Sequence, residues 1–286
     1  MTRDDKQTDH YKDAAGTADI TMPKALKGVG QRDVTASRAM VARALQVGAV
    51  TVVYQPVIDA RCLPQIAFYE ALIRLRSPSG GLLAPGQFLP AIQGTPLASA
   101  IDRVALAKTL AQLRAMPDTR ISVNICPMTL DDPAWLSTLS MAANETPDLP
   151  YRLIVEMTED EGFLAHPRCA SFLASLRSLG VSVALDDFGA GATGFSHFRE
   201  HRFDIVKIDG SYGDQLATNP DAQALVRAML GLARHFEMLS VIEYIDNPED
   251  AACAVRLGVD CMQGYLFGRP SEDMDGRSGT DGTAIG

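Results

Sequence analysis

The chain has 286 residues, of which 47% are hydrophobic and 21% charged, and its formal net charge is −9. This composition is typical of a globular protein and excludes wholesale disorder. An acidic chain lacks the excess of Lys and Arg with which proteins neutralise the phosphates of DNA and RNA, so we expect no nucleic-acid polymer as a partner. A small phosphorylated ligand remains compatible with the charge, because metal ions held by carboxylates can invert it locally.

The five cysteines are scattered along the chain without a CxxC pair. This spacing favours a reduced protein over a disulfide framework or a zinc ribbon. No stretch has the apolar length that a membrane span needs, and the polar N-terminus has no secretory h-region. We therefore expect a cytoplasmic protein without a membrane span.

The two ends of the chain differ in composition from its middle. Residues 1–33 are polar and have no clear period, and residues 271–286 are rich in Gly, Ser, Thr and Asp. Both segments are predicted to be flexible, disordered tails. No linker divides residues 34–270, so this region is predicted to be one domain.

Short apolar runs rich in β-branched residues alternate with longer amphipathic runs between residues 34 and 270. A helix at residues 36–45 precedes eight candidate strands, which are VTVVYQP, IAFYEALIRL, RISVNI, RLIVEMTE, VSVALDDFG, FDIVKID, LSVIEY and VDCMQGYLF. Helical patterns fill residues 100–115, 168–179, 221–236 and 248–257, and Gly180 and Gly258 are the expected C-caps of two of these helices. The alternation predicts an α/β fold with a parallel sheet, and eight strands predict a closed, TIM-like (β/α)8 barrel.

Polar side chains stand at or near the carboxyl ends of the second to eighth candidate strands. They are Glu70, Asn124, Glu156, Asp186 with Asp187, Lys207, Glu243 and Gln263. In a barrel these strand ends meet on one face, where barrel enzymes build their active sites. Each residue alone could be a turn or a solvated strand end, but seven strands that agree on one rim predict a functional site.

The residue types at this rim indicate hard divalent cations. Glu, Asn and Asp offer the oxygen ligands that suit Mg²⁺ or Mn²⁺, and clustered carboxylates without a cation would repel one another. The adjacent Asp186 and Asp187 would let one carboxylate bridge two ions, an arrangement that favours attack of water on a phosphodiester. Lys207 could supply a positive charge to the water or to a phosphate oxygen, or it could form a structural salt bridge.

Other chemistries have weaker support. The five histidines show no HxH or HExxH spacing, the chain has no GxSxG elbow or P-loop, and no GxGxxG motif follows the first strand. Enolase-type proton abstraction, with Mg²⁺ on three acids and a Lys base, is a further possibility for a carboxylate-rimmed barrel. The asparagine and the paired aspartates fit two metals better than one, so this hypothesis ranks last.

Several motifs in a fixed order resemble those of a known family. YQPVIDARCLPQIAFYEALIRL, which contains Glu70-Ala71-Leu72, is followed by SVNIC, VEMTE, LDDFGAG, VKID and QGYLFGRP. Over roughly residues 34–270 this series resembles the EAL family of c-di-GMP phosphodiesterases. The resemblance implies an EAL-type barrel that hydrolyses this bacterial second messenger to linear pGpG, by two-metal-assisted attack of water on phosphorus.

The resemblance also implies a role for each matching position. The implied ligands of two Mg²⁺ or Mn²⁺ ions are Glu70, Asn124, Glu156, Asp186, Asp187 and Glu243. Lys207 and Gln263 would place the attacking water, and Glu159 would support the loop after Asp187, which couples the site to dimerisation. Together with Glu70, these three are the implied catalytic residues. The implied substrate contacts are Gln55, Leu72, Arg74, Asp209 and Asp246.

Three segments depart from the family pattern. Glu243-Tyr244-Ile245-Asp246 stands where the family has EGVE, Ala190 and Ala192 replace Thr and Tyr, and the AE pair is replaced around residues 91–93. None of these changes removes an implied metal ligand, so we expect an active phosphodiesterase. The alternative is a catalytically weak or inactive c-di-GMP receptor. A homodimer and a regulatory protein partner are further expectations.

Overall fold

Nine strands form one sheet, which closes on itself where β1 pairs with β2. The computed structural model describes residues 31–77, 80–159, 161–190 and 197–274. The strands are β1 (Val50–Asp59), β2 (Ile66–Arg76), β3 (Leu82–Leu83), β4 (Ile121–Asn124), β5 (Leu153–Thr158), β6 (Ser182–Phe188), β7 (Ile205–Ile208), β8 (Leu239–Ile242) and β9 (Cys261–Gln263). The two-residue β3 pairs only with the end of β2, so eight strands make up the barrel.

One barrel strand runs against the others. β1 is antiparallel to both of its neighbours, β2 and β9, whereas the pairs from β2 through β4 to β9 are parallel. The expectation of a wholly parallel sheet is therefore wrong for β1. Only residues 60–65 connect β1 to β2, and a parallel crossover needs a dozen or more residues. The predicted fold class, a TIM-like barrel with helices outside it, is confirmed.

Helices surround the barrel. They are α1 (Gln31–Gln46), α2 (Leu89–Ile92), α3 (Pro96–Ala115), α4 (Pro133–Glu145), α5 (Glu161–Leu164), α6 (Cys169–Leu179), α7 (His197–Glu200), α8 (Gly210–Gly213), α9 (Pro220–His235) and α10 (Pro248–Leu257). The predicted helices are found as α1, α3, α6, α9 and α10. Gly180 and Gly258 end α6 and α10 in the left-handed conformation, as predicted. Among the described helices, none is long and apolar enough to cross a membrane.

The folded domain extends further at both ends than the sequence predicts. α1 begins at Gln31, five residues before the expected start of this helix, so it includes part of the predicted N-terminal tail. The first residues of the predicted C-terminal tail contact the barrel: Ser271 N donates to Tyr54 O at 3.0 Å, and Tyr69 OH donates to Met274 O at 2.8 Å. Met274 is buried, and this burial favours docking of the segment. Residues 1–30 and 275–286 of the predicted tails lie outside the described residues.

A layer of apolar side chains closes the inside of the barrel. Seven of the eight barrel strands contribute one buried residue each to a single cluster, namely Val57, Phe68, Ile154, Ala184, Ile205, Val241 and Cys261. Since side chains alternate along a strand, the residue two positions further along each strand faces the same interior. The apolar layer therefore forms the floor on which the next interior layer rests.

Candidate active site

A polar layer lies directly on this apolar floor. In the parallel strands its members stand two residues after the apolar ones, toward the carboxyl ends, and in the antiparallel β1 the member stands two residues before. The layer consists of Gln55, Glu70, Glu156, Asp186, Lys207, Glu243 and Gln263, and Asn124 at the end of β4 completes it. The structure thus brings the predicted rim residues together at one mouth of the barrel, where barrel enzymes act.

Lys207 lies at the centre of the polar layer and its side chain is only 1% exposed. Its ammonium nitrogen lies 2.8 Å from Glu243 Oε1, 2.9 Å from Glu156 Oε2, 3.1 Å from Asp186 Oδ1 and 3.3 Å from Glu70 Oε2. Burial disfavours the ammonium, but the four surrounding acids outweigh this effect and hold the pKa of Lys207 well above its ordinary value. The layer therefore contains a permanent positive charge shared by four carboxyl groups.

Amide groups fix the orientation of Glu70. Asn124 Nδ2 donates to Glu70 Oε1 at 2.8 Å, and Gln263 Nε2 donates to Glu70 Oε2 at 2.6 Å. Burial would raise the pKa of Glu70, but Lys207 and these two hydrogen bonds outweigh it and lower that pKa. The carboxyl group of Glu70 is therefore held ionised, as an anionic metal ligand must be.

Three carboxylates converge at the outer edge of the layer. Asp186, Asp187 and Glu243 each place one oxygen within 4.8 Å of those of the other two. Burial, together with the charges of Asp186 and Asp209, raises the pKa of Asp187 to about 6. Burial also raises the pKa of Glu243 to about 7, although Lys207 opposes this shift. Clustered oxygen donors whose ionisation is disfavoured fit a divalent cation, which would stabilise their charged forms.

Buried acceptors of the layer without a hydrogen bond from the described residues include Glu156 Oε1 and Gln263 Oε1. Gln263 uses its Nε2 to donate to Glu70 and, at 3.3 Å, to Gln55 Oε1, whereas its own Oε1 has no hydrogen bond from the described residues. A buried amide oxygen is ordinarily paired with protein or with ordered water. The free oxygen of Gln263 therefore fits a water molecule beside Glu70.

Two cavities flank the polar layer. A cleft of about 260 Å³ is lined by four of the predicted substrate contacts, Gln55, Leu72, Arg74 and Asp246. A cavity of about 530 Å³ with mostly apolar walls lies on the other side, between Leu72, Asn124 and the first turns of α3. Leu72 lines both, so the two cavities are neighbours on either side of this residue.

Asp209 differs from the other predicted substrate contacts. Its Oδ1 accepts the backbone N–H of Ser211 at 3.0 Å, which makes Asp209 the N-cap of α8. The residue does not line the cleft described above. Its charge contributes to the raised pKa of Asp187, so it acts on the outer carboxylates electrostatically.

Glu159 connects the end of β5 to the turn after β6. Its Oε2 accepts the N–H of Gly189 at 2.9 Å, and its own N–H donates to Asp186 O at 3.0 Å. These two hydrogen bonds join Glu159 to β6 and to the turn after it, and its support of the loop during catalysis stays a prediction. Ala190, one of the departures from the family pattern, follows in the same turn, and Ala192 lies outside the described residues.

Comparison with known proteins identifies the family. A model described as "EAL domain" matches residues 38–270. The chain belongs to the EAL domain family. It is 34% identical over 221 residues to an uncharacterized signaling protein of Caulobacter vibrioides, with 76% of this chain and 27% of the relative covered. It is 32% identical over 212 residues to the cyclic di-GMP phosphodiesterase PdeF of Escherichia coli K12, with 73% of this chain and 28% of PdeF covered. This EAL domain therefore spans little more than a quarter of the length of these relatives.

Solved structures of the family have the same fold. The FimX EAL domain of Pseudomonas aeruginosa bound to c-di-GMP gives a TM-score of 0.77 at 25% identity, with 84% of this chain and 98% of FimX's chain covered. The PaMucR phosphodiesterase in its c-di-GMP complex gives 0.75 at 28% identity, with 82% and 97% covered. Homologues of this EAL domain are thus named as c-di-GMP phosphodiesterases, and its structural neighbours bind c-di-GMP.

Two tyrosines of this EAL domain line the cleft and are not among the residues predicted for the site. Tyr265 is 49% exposed, and the guanidinium of Arg269 lies 4.1 Å from its ring centroid. Tyr244 is 63% exposed and has a φ of 58°, a conformation that costs an L-residue with a side chain roughly 1–2 kcal/mol. In the sequence, Tyr244 stands out only as a departure from the family's glycine. An aromatic residue next to a predicted metal ligand was the available signal.

Proposed function

We propose that this EAL domain is a metal-dependent phosphodiesterase that hydrolyses c-di-GMP to linear pGpG with two divalent cations, Mg²⁺ or Mn²⁺. The observation that carries the proposal is the polar layer, in which oxygen donors at the ends of five strands lie around the buried Lys207. The names of PdeF and PaMucR support the substrate. Because the chain covers 28% of PdeF, the activity of that protein is a proposal for this chain.

The two cavities favour a ligand with two lobes. The polar cleft and the apolar cavity share Leu72 as a wall residue, and Glu70 lines the cleft while Asn124 lines the cavity. A cyclic dinucleotide has two nucleosides joined by phosphodiesters, so one nucleoside in each cavity would place a phosphodiester over the acids. Arg74 supports this placement: its half-buried guanidinium donates to Ile73 O at 2.8 Å and has no ion pair with the described residues. It therefore retains donors for a phosphate oxygen.

The donor set divides into two groups that share one residue. Glu70, Asn124, Glu156 and Asp186 would hold one cation, and Asp186, Asp187 and Glu243 would hold the other. Such a pair of ions, when bound, lowers the pKa of a water molecule and stabilises the leaving oxygen of an in-line displacement.

The protein groups orient the reactants for this displacement. Lys207 donates hydrogen bonds and Gln263 Oε1 accepts one, so together they can orient the attacking water. A bond forms between the water oxygen and phosphorus, and the bond from phosphorus to the ribose O3′ breaks. O3′ takes up a proton, which leaves a 3′-hydroxyl at one end of pGpG and a 5′-phosphate at the other. Glu159 holds the turn at Gly189 during the reaction.

A c-di-GMP receptor without turnover is the second candidate, and the charge balance of the layer favours it. Lys207 already contacts four carboxyl groups, so the layer is partly neutralised without any metal. A receptor would need only the two cavities. The receptor hypothesis is consistent with the FimX EAL domain, a structural neighbour whose solved structure contains c-di-GMP.

The direct test is incubation of the purified chain with c-di-GMP and Mg²⁺ or Mn²⁺, with pGpG followed by chromatography. We expect product with at least one metal and none in EDTA. Glu70→Ala should lower the turnover about 100-fold or more, because it removes a proposed metal ligand. The control is Glu145→Ala, an exposed residue paired with Arg114, which should leave turnover unchanged. Tight binding of c-di-GMP without product under either metal would favour the receptor.

Three further expectations from the sequence belong to this proposal. A homodimer and a regulatory protein partner would provide control of the site through the turn that Glu159 holds. A cytoplasmic location agrees with the chemistry of the five cysteines, which are all free.

A further inference from the structure

We infer that Tyr244 is a substrate-specificity residue whose ring stacks on a purine base of the ligand in the polar cleft. This inference rests on the proposed function, since it names a contact of the same site. The family pattern has glycine at this position, so the contact is a property of this chain. Three independent features of Tyr244 carry it: its backbone conformation, its seat on Gly210 and its place in the cleft.

The backbone of Tyr244 adopts a conformation that disfavours a tyrosine. Its φ of 58° lies in the left-handed region, which glycine occupies freely and an aromatic residue occupies at a cost. Residues held in such conformations cluster at ligand-binding sites, where the surrounding structure imposes them. Here the turn directly follows Glu243, a proposed metal ligand. The conformation directs the ring of Tyr244 across the start of α8.

The ring of Tyr244 packs against Gly210, whose missing side chain leaves room for it. A Cβ atom added to Gly210 would lie 1.4 Å from Cδ2 and 2.1 Å from Cε2 of Tyr244, so the ring packs directly on the backbone of α8. Gly213, one turn later, leaves room for the peptide group before Tyr244 in the same way. A Cβ atom added to Gly213 would lie 1.8 Å from Glu243 O. Because these two glycines have no side chains, the backbone of α8 contacts the Tyr244 ring directly on one side, while 63% of the residue remains exposed.

The exposed part of the ring belongs to the polar cleft. Tyr244 and Tyr265 both line it, together with Arg74 and Asp246. The ring of Tyr265 is also supported, because the guanidinium of Arg269 packs against it at 4.1 Å from the ring centroid. Two supported aromatic rings in one cleft are suited to a flat π-system, and bases stack on such rings in nucleic-acid-binding proteins.

The polar groups of the cleft favour a guanine as the base. Asp246 Oδ1 accepts the N–H of Tyr265 at 2.6 Å, and the described residues donate no hydrogen bond to its Oδ2. A free carboxylate oxygen can accept from the N1–H and N2–H groups of guanine, which adenine lacks at those positions. Tyr244, which would stack on the base, and Asp246, which would hydrogen-bond to the edge of the base, are two positions apart in the chain.

The test is the affinity of Tyr244→Gly for c-di-GMP, measured by calorimetry in EDTA so that no turnover occurs. Base–aromatic stacking predicts about tenfold weaker binding, and Tyr244→Phe should stay within about twofold of the wild type because it keeps the ring. In the presence of metal, Tyr244→Gly should raise KM more than it lowers kcat. Its melting temperature should not fall below that of the wild type, because glycine suits the backbone at this position.

Tyr151 provides a matched control. It is 65% exposed and its ring also rests on a glycine, Gly180, but it precedes β5 at the opposite end of the barrel. Tyr151→Ala should therefore leave the affinity for c-di-GMP unchanged. Tyr244→Gly with wild-type affinity would overturn the inference, and tighter binding would show that the ring obstructs the cleft. Failure of the wild type both to bind c-di-GMP in EDTA and to form product with metal would instead refute the proposed function, before any variant is compared.

Discussion

Lys207 and Glu156 form a salt bridge of 2.9 Å in which neither side chain has appreciable contact with solvent: the lysine is 1% exposed and the glutamate 0%. Burial raises the pKa of Glu156 well above its usual range, although Lys207 opposes this shift. A buried ion pair of this kind adds little stability compared with apolar residues in the same place. Removal of one partner, however, leaves the buried charge of the other uncompensated. Lys207 is therefore expected to stabilise the metal-free domain as well as to act on substrate.

Lys207→Met should destabilise the metal-free protein. The change removes the cation shared by four carboxyl groups, so we expect a loss of about 3–5 kcal/mol in the free energy of unfolding, measured by denaturant titration in EDTA. Mn²⁺ should then raise the stability of the variant more than that of the wild type, because added cations replace the missing charge.

The control for this variant is Lys108→Met, in helix α3. Lys108 has no ion pair with the described residues, so its replacement should change the stability by less than about 0.5 kcal/mol. If Lys207→Met were as stable as the wild type in EDTA, the four acids would have to be neutral in the absence of metal.

Glu159→Ala should uncouple the turn after β6 from the end of β5. The Gly189 N–H would lose its carboxylate acceptor, so Asp187 would be less precisely positioned, and we expect turnover to fall about 10- to 100-fold. Glu159→Gln keeps an acceptor oxygen and should lose less. Amide hydrogen exchange at Gly189 measures the cause separately: it should be faster in Glu159→Ala than in Glu159→Gln. Unchanged exchange together with lost turnover would assign Glu159 a different role.

Asp102, in the wall of the apolar cavity, predicts a pH dependence of stability. Its Oδ2 accepts hydrogen bonds from Cys126 N at 2.7 Å and from Thr129 Oγ1 at 2.6 Å, and burial raises its pKa. With a raised pKa, the folded state binds the proton more tightly than the unfolded state, so this group destabilises the fold at neutral pH and ceases to do so as the pH falls through the raised pKa.

Asp102→Asn keeps an acceptor oxygen without the charge. We expect it to be at least as stable as the wild type at pH 8, with an advantage that shrinks at lower pH, measured by urea titration across that range. Asp102→Leu leaves two buried donors unpaired and should lose about 1–3 kcal/mol. An advantage of Asp102→Asn that grew on acidification would contradict the raised pKa.

The polar layer was predictable because it follows from strand periodicity. Glu156, Asp186, Lys207 and Gln263 each stand two residues after an apolar interior residue, so a polar residue late in an apolar run marks the mouth of the barrel. The family was predictable for a different reason, namely that the ordered motifs resemble those of EAL domains.

Other features depended on information that the sequence pattern carries only weakly. The reversed direction of β1 could have been inferred from the six residues between β1 and β2, whereas an apolar run by itself has no direction. α4 was missed, although Trp135, Leu139 and Ala142 have helical spacing and Asp132 caps it. The seat of Tyr244 on Gly210 joins residues 34 positions apart, so only the three-dimensional structure shows it.

The most direct test of the whole account is hydrolysis of c-di-GMP in ¹⁸O-labelled water with Mg²⁺ or Mn²⁺, followed by mass spectrometry of the product. Attack of water on phosphorus at the acid layer predicts pGpG with one ¹⁸O atom, located on its 5′-phosphate. Product with ¹⁸O on a ribose hydroxyl, or no product with either metal, would contradict the account.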